Sequence, residues 1–280
     1  MKNGGKRIFM LLKQFAGILA AAVCLVIHLY PVFIIFSSAL KSKSELAFNP
    51  SGIPEKITFE HFSKAFDKMN YLQSTANTII IVTAVVCFIL IAASMAAYAI
   101  SRKGGKYNWI YFLFLAGLMM PFQLRMIPLY KMMADFKLVN KLIGTILVYC
   151  GSQAPMAVFL LSGFVKTVPR ELEEAAQIDG AGIYYTFFAI VFPLLKSPLV
   201  TVGILCTFAI WNDFLMPMLF LQAREKLTIT VTLANFQGLY ANDWSMIFAG
   251  VCLIVFPMLI IYLIAQKYII NGITAGAVKG

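Results

Sequence analysis

Three of the chain's twelve acidic residues, Glu171, Glu173 and Glu174, fall within four positions, and Asp179 follows them. They belong to the segment Pro169-Arg-Glu-Leu-Glu-Glu-Ala-Ala-Gln-Ile-Asp-Gly-Ala-Gly182. Pro169 suits the first position of a helix, where its missing N–H costs nothing. The glutamates would then occupy the first turns, where the helix dipole favours negative charge. Gly180 or Gly182 can end the helix by taking the left-handed conformation. Helical spacing puts Leu172, Ala175, Ala176 and Asp179 on one face, with Glu171, Glu174 and Ile178 beside it. Glu173 points about 100° away from Glu174. A face of alanines admits another protein closely, and carboxylates at its edge can receive an arginine bidentately. The same pattern also fits a plain solvated interfacial helix.

Little else in the chain is built for bond-making. His28 and His61 are the only histidines, and no H-E-x-x-H or triad pattern is present. His28 reads as a packing residue. Cys24, Cys87, Cys150, Cys206 and Cys252 are scattered singly and read as small apolar residues. No G-x-x-x-x-G-K-[ST] loop exists to cradle nucleotide phosphates. Asn77, Gln123, Gln153 and Asn212 are neutral amides within or beside apolar stretches. They could meet the hydroxyls of an uncharged solute or bond across helices.

The elements that carry these residues follow from composition. Of 280 residues 61% are hydrophobic and only 12% are charged, against about 25% charged in soluble domains. That excludes a soluble enzyme, a disordered chain and a disulfide scaffold. The net charge of +11 comes without aromatic-interleaved basic blocks, so nucleic acid is not indicated. Charge-free gaps long enough for helices of about 20 residues predict an all-α integral membrane protein with six spans. These fall near 15–38, 77–100, 108–129, 142–165, 199–221 and 246–268. The runs are continuous, unlike the alternating segments of a membrane barrel. Residues 1–14 and 269–280 form short termini, and 166–198 a connecting loop. The first span is too long for a signal-peptide core and lacks a cleavage site, so it stays as a helix.

Lys2, Lys6, Arg7 and Lys13, with Arg102, Lys103 and Lys106, favour a cytoplasmic N-terminus, and six spans return the C-terminus to the same side. The long outer segment 39–74 begins with turn chemistry at Asn49-Pro50-Ser51-Gly52. Phe59, Phe62, Ala65, Phe66 and Met69 then recur at helical spacing. That helix either lies on the membrane or offers a face to an external partner. Pro121 and Pro128 interrupt the third span, Pro155 the fourth, Pro217 the fifth and Pro257 the sixth. Such kinks require protein neighbours or a wet cavity. Ala92, Ala93, Ser94, Ala96, Ala97 and Ala99 suit a second span in the crowded centre of a bundle.

The acidic segment also carries a resemblance. Glu174-Ala175-Ala176, three residues, Gly180, nine residues and Ile190-Val191-Phe192-Pro193 resemble the EAA loop of ABC importer permeases, with Phe192 in place of the usual Leu. Further stretches are similar to the sugar-importer branch related to the smaller maltose permease subunit. They are Pro121-Phe122-Gln123 with Ile127-Pro128-Leu129-Tyr130, Trp211-Asn212-Asp213-Phe214 with Pro217, Asn77-Thr78, Ala96-Ala97-Tyr98-Ala99 and the tail from Gly272. The resemblance covers the chain from about residue 70 onward and implies the type I ABC permease fold in a bacterial inner membrane. It implies a heterodimer with a second permease, two separate ATPase subunits carrying ATP and Mg, and an external sugar-binding protein. No cofactor is expected on this chain. The loop would be the coupling helix, with Glu171, Glu174, Ala175, Ala176, Asp179, Gly180 and Pro193 meeting the ATPase and Glu174 pairing with one of its basic residues. Asn77, Gln123, Gln153 and Asn212 would be pathway candidates. The alternatives are an ABC permease for another small solute, such as a glycerol-phosphate type, or a secondary transporter. The latter usually carries intramembrane charged groups, and here only His28 and Asp213 approach that description.

Overall fold

The computed structural model describes residues 2–103, 105–234, 236 and 243–277, excepting the side chains of 2–9, 106 and 267–277. Among them every regular element is helical. Four helices are long and apolar enough to cross a membrane, Met10–Ala39, Tyr71–Lys103, Leu142–Val165 and Trp244–Gln266. Two further spans arise if each of two bent helix pairs counts as one, giving six. All side chains of the tail from 269 onward lie outside the described residues.

The chain divides into two compact units. The first comprises Met1–Met69 and Asn235–Val255. In its helix α1 (Lys2–Ala39) the 18-residue apolar window has none of its residues buried, and burial begins only at Ser37, Ser38 and Ala39. At its end the chain closes into a hydrogen-bonded loop. Lys41, fully buried, donates from Nζ to the carbonyls of Asn49 and Gly52, both at 2.7 Å. Ser37 donates to the same Gly52 carbonyl at 2.7 Å, and Gly52 N–H donates to Asn49 Oδ1 at 2.9 Å, closing the turn expected there. Helix α2 (Lys43–Phe48) lies within this loop, capped by Ser42. In α3 (Glu60–Lys68) the inward face is His61 and Ala65, continued by Met69. Phe59, counted with that face in the sequence, is 68% exposed because it precedes the helix. Outward, Glu60 and Lys64 pair at 2.5 Å, which holds the Glu60 carboxyl below, and the Lys64 ammonium above, their ordinary pKa values.

The second unit, Asn70–Ala234 with Phe256–Gly280, holds the acidic segment. Its spine is α4 (Tyr71–Lys103), which packs on α7 (Leu142–Val165) and α11 (Lys196–Trp211). Ile81, Val85, Ile89, Ala93 and Ala97, each at most 3% exposed, form a seam at four-residue intervals along α4. Packing along such rows is how helices interdigitate. The small-residue run thus lies in the bundle's interior, as its composition predicts.

Two expected spans are reshaped. The third breaks after α5 (Asn108–Met119), and α6 (Phe122–Asp135) leaves at 103°. Met120 adopts an extended backbone, ψ 108°, as the residue before a proline is pushed to do. At 12 residues α5 is only about 18 Å long, short of the hydrocarbon thickness. It lies close on α7, where a Cβ at Gly117 would meet Pro155 Cγ at 3.1 Å. In the fifth, α11 ends at Trp211 instead of near 221, and a separate short helix α12 (Leu215–Phe220) follows. Asp213 causes the stop. Its Oδ1 accepts from the Leu215 N–H at 3.0 Å, its Oδ2 from the Tyr149 hydroxyl at 2.9 Å, and its carbonyl from Thr230 Oγ1 at 2.7 Å. The chain then runs through residues 221–228 to α13 (Ile229–Ala234). Pro155 and Pro257 leave their helices unbroken, the second inside α14 (Trp244–Ala277).

Candidate functional site: the acidic loop and its seat

The segment 166–198 folds into two short helices. The first, α8 (Glu171–Ile178), starts two residues beyond Pro169, so the proline precedes the helix and does not open it. Arg170 accepts the first N–H bonds, from Glu173 and Glu174, both at 2.9 Å. At the other end Ala181 N–H donates to the Ala176 carbonyl at 2.9 Å and Gly180 N–H to that of Gln177 at 3.0 Å. This paired pattern is the Schellman stop. It needs a left-handed residue, and Gly180 supplies it with φ +85°. A Cβ there would meet nothing within 4 Å, so glycine is required by conformation alone and not by crowding inside this chain.

The second helix runs over Ile183–Leu194 and meets α11 at 76°. It opens as α9 (Ile183–Tyr185), widens into a π-turn over Thr186–Val191 and closes as α10 (Phe192–Leu194). Between the two helices lies an open concavity of about 760 Å³. Leu172, Ala175, Ala176 and Asp179 line one side of it, Gly180 its floor, and Tyr185 and Ile190 the other side. The face read from helical spacing is thus gathered around one groove. Glu171 and Glu174 are exposed on α8 and Pro193 on the second helix, and none of the three lines the concavity. Among the described residues Glu174 has no partner.

Glu173 behaves differently. It is 6% exposed and lies on the back of α8. Its Oε1 receives Arg102 Nε at 2.7 Å and a second guanidinium nitrogen at 2.6 Å, while Oε2 receives the Tyr98 hydroxyl at 2.7 Å. The same guanidinium donates to the Val168 carbonyl at 2.8 Å, so one arginine holds both the entry and the first turn of α8. The second helix is fixed to the same patch, with the Phe187 ring 5.3 Å from that of Tyr98. Helical spacing only turns Glu173 away from Glu174, and the structure makes it the anchor of the loop. The signal was faint. Tyr98 and Arg102 are one turn apart on α4, but their partner lies 75 and 71 residues away.

The neutral amides do not share one environment. Asn77 is 2% exposed, and its Nδ2 donates to the carbonyls of Glu225 at 2.9 Å and Leu227 at 3.1 Å. Gln123 is exposed at the start of α6, and Gln153 is half-buried on α7. Asn212 is exposed at the end of α11 and bonds back to the Phe208 carbonyl at 3.0 Å. No cluster of His, Cys, Asp and Glu suited to a metal occurs among the described residues, and all five cysteines are free.

The chain belongs to the family of binding-protein-dependent transport system inner membrane components, whose pattern matches residues 88–274. It is 38% identical over 264 residues to the melibiose/raffinose/stachyose import permease of Bacillus subtilis (strain 168), covering 94% of this chain and 95% of that protein. It is 34% identical over 259 residues to the multiple sugar-binding transport system permease of Streptococcus mutans, covering 91% and 93%. In three dimensions it matches a chain of a bacterial ABC transporter involved in import of the acidic polysaccharide alginate. The TM-score is 0.79 at 25% identity, covering 94% of this chain and 96% of that one.

Proposed function

We propose that this chain is one permease subunit of an ATP-driven oligosaccharide importer and that the 166–198 loop is where a separate ATPase drives it. The observation that carries this is the groove beside α8. It is open, lined in part by alanine and glycine, and anchored from behind, while Glu174 is exposed on the same helix outside the lining. A partner ridge can enter such a surface closely, and a basic residue on it can reach the carboxylate. The imports named for the relatives, melibiose, raffinose and stachyose among them, support an oligosaccharide cargo. A second permease and an external sugar-binding protein complete the assembly. ATP and Mg reside on the ATPase, and this chain carries no cofactor. The loop faces the cytoplasm, as do both termini.

Gln153 and Asn212 are the better pathway candidates, with Gln123 beside them. Asn77 has both amide hydrogens committed to its own chain. The test is co-purification of the ATPase with the permease pair, followed by sugar uptake in proteoliposomes, for Glu174→Ala and Glu174→Lys. Both should lose ATPase and uptake, Lys more than Ala because it adds repulsion. Full binding and uptake by Glu174→Lys would sink the reading.

A further inference from the structure

α4 is held at both ends and is stiff between them. At one end its Tyr98 and Arg102 grip Glu173 of the coupling loop at 2.6–2.7 Å. At the other, Asn77 donates to the carbonyls of Glu225 and Leu227, and Thr78 Oγ1 accepts the Ile229 N–H at 3.1 Å. Those two grips lie 25 positions apart, from Asn77 to Arg102, which is about 38 Å of helix. That is more than the roughly 30 Å of membrane hydrocarbon. The helix has neither glycine nor proline, whereas α1, α7 and α14 contain Pro31, Pro155 and Pro257. Sharp kinks occur at such residues, so α4 has no built-in hinge of that kind. The seam of Ile81, Val85, Ile89, Ala93 and Ala97 keeps it packed throughout.

We propose that α4 is the strut that carries movement of the coupling loop to the 225–229 segment on the opposite side of the membrane, with Glu173 as the positioning residue that fastens the loop to it. This rests on the reading of the loop as the ATPase contact. Within that reading Glu174 meets the ATPase and Glu173 transmits what Glu174 receives. The carboxylate of Glu173 is buried against its own chain, so it contributes nothing directly to the contact face. Its pair with Arg102 is nevertheless the shortest polar link between α8 and a membrane-crossing helix. A buried ion pair with a forked arginine fixes orientation more strictly than an apolar contact of similar area.

The experiment uses the whole transporter in proteoliposomes and reads sugar moved per ATP hydrolysed, together with retention of the ATPase. The variants are Glu173→Ala, Glu173→Gln, Asn77→Leu and the exchange Arg102→Glu/Glu173→Arg. Removing one partner of a buried pair strands the other, so sugar per ATP should fall about tenfold or more in Glu173→Ala, while the ATPase still co-purifies. Asn77→Leu, at the far end, should show the same uncoupling. Glu173→Gln keeps size and an acceptor for Tyr98, guarding against simple misfolding, and should lie between. The exchange should restore part of the ratio. An unaltered sugar-per-ATP ratio in Glu173→Ala or in Asn77→Leu overturns the strut. So does loss of the ATPase from the Glu173→Ala complex, which would reduce the clamp to a docking support. Failure of the reading beneath it looks different: the unsubstituted complex would then take up no sugar or hold its ATPase without Glu174.

Discussion

Neighbouring glutamates at 173 and 174 have opposite fates because a helix turns each residue by about 100°. One is sealed against Arg102 and Tyr98, the other stands exposed on α8. If Glu174 meets a desolvated basic residue of the ATPase, truncation from one side costs roughly 2–5 kcal/mol. At 1.4 kcal/mol per tenfold, affinity should fall by at least about tenfold, measurable by titrating ATPase into permease in detergent. Gly180 makes an independent prediction. With φ +85° and open space around it, Gly180→Ala is strained by about 1–2 kcal/mol through the backbone alone. Gly182, at φ −72° and also uncrowded, is the matched control. Gly180→Ala should weaken ATPase binding and Gly182→Ala should not. Equal effects would point to crowding by the partner instead of the turn.

At the scale of elements, the sequence is most legible where a local rule decides the outcome. The small-residue run of α4, the turn at Asn49–Gly52 and the groove face of α8 follow from spacing and composition, and all are found. What could not be read depends on distant partners. Pro121 and Pro128 signalled distortion, but whether a proline kinks a helix or breaks it rests on the surrounding packing. Here Met120 turns extended and α6 departs at 103°, whereas Pro155 is absorbed within α7. The stop at Trp211 likewise needed Tyr149 and Thr230 on Asp213. The orientation of the elements is directly testable. Cysteine at Ile178, 87% exposed on α8, should react with an impermeant maleimide only from the cytoplasmic side. Cysteine at Phe48, 91% exposed on α2, should react only from outside. Gly180 is a poor labelling site because its backbone resists a side chain. Native Cys24 and Cys87 are exposed and should first be replaced. Labelling of 178 from outside would reverse the topology.

Taken whole, the molecule has an open groove beside α8 and no phosphate-cradling G-x-x-x-x-G-K-[ST] loop in its sequence. Purified alone, the chain should therefore hydrolyse no ATP, and hydrolysis should appear only with a separate ATPase subunit. Activity in the pure chain, free of contaminants, would contradict its role. A second consequence lies in α1, whose apolar residues touch almost nothing within their unit while the α4 seam is shut from solvent. The two helices should answer to different selective rules. Along α1 from Phe15 to Val26 an exchange among Leu, Ile, Val and Phe alters no surface fitted within this chain, so within this chain hydropathy is the main demand. A central Lys or Arg there would cost about 2.5–3.5 kcal/mol of insertion. Along the α4 seam the rule is volume. Ala93→Leu or Ala97→Leu keeps hydropathy high yet drives methyl groups into filled space, at about 1–3 kcal/mol. A saturation scan of both helices, scored by sugar uptake, should tolerate bulky apolar residues on α1 and reject them on α4.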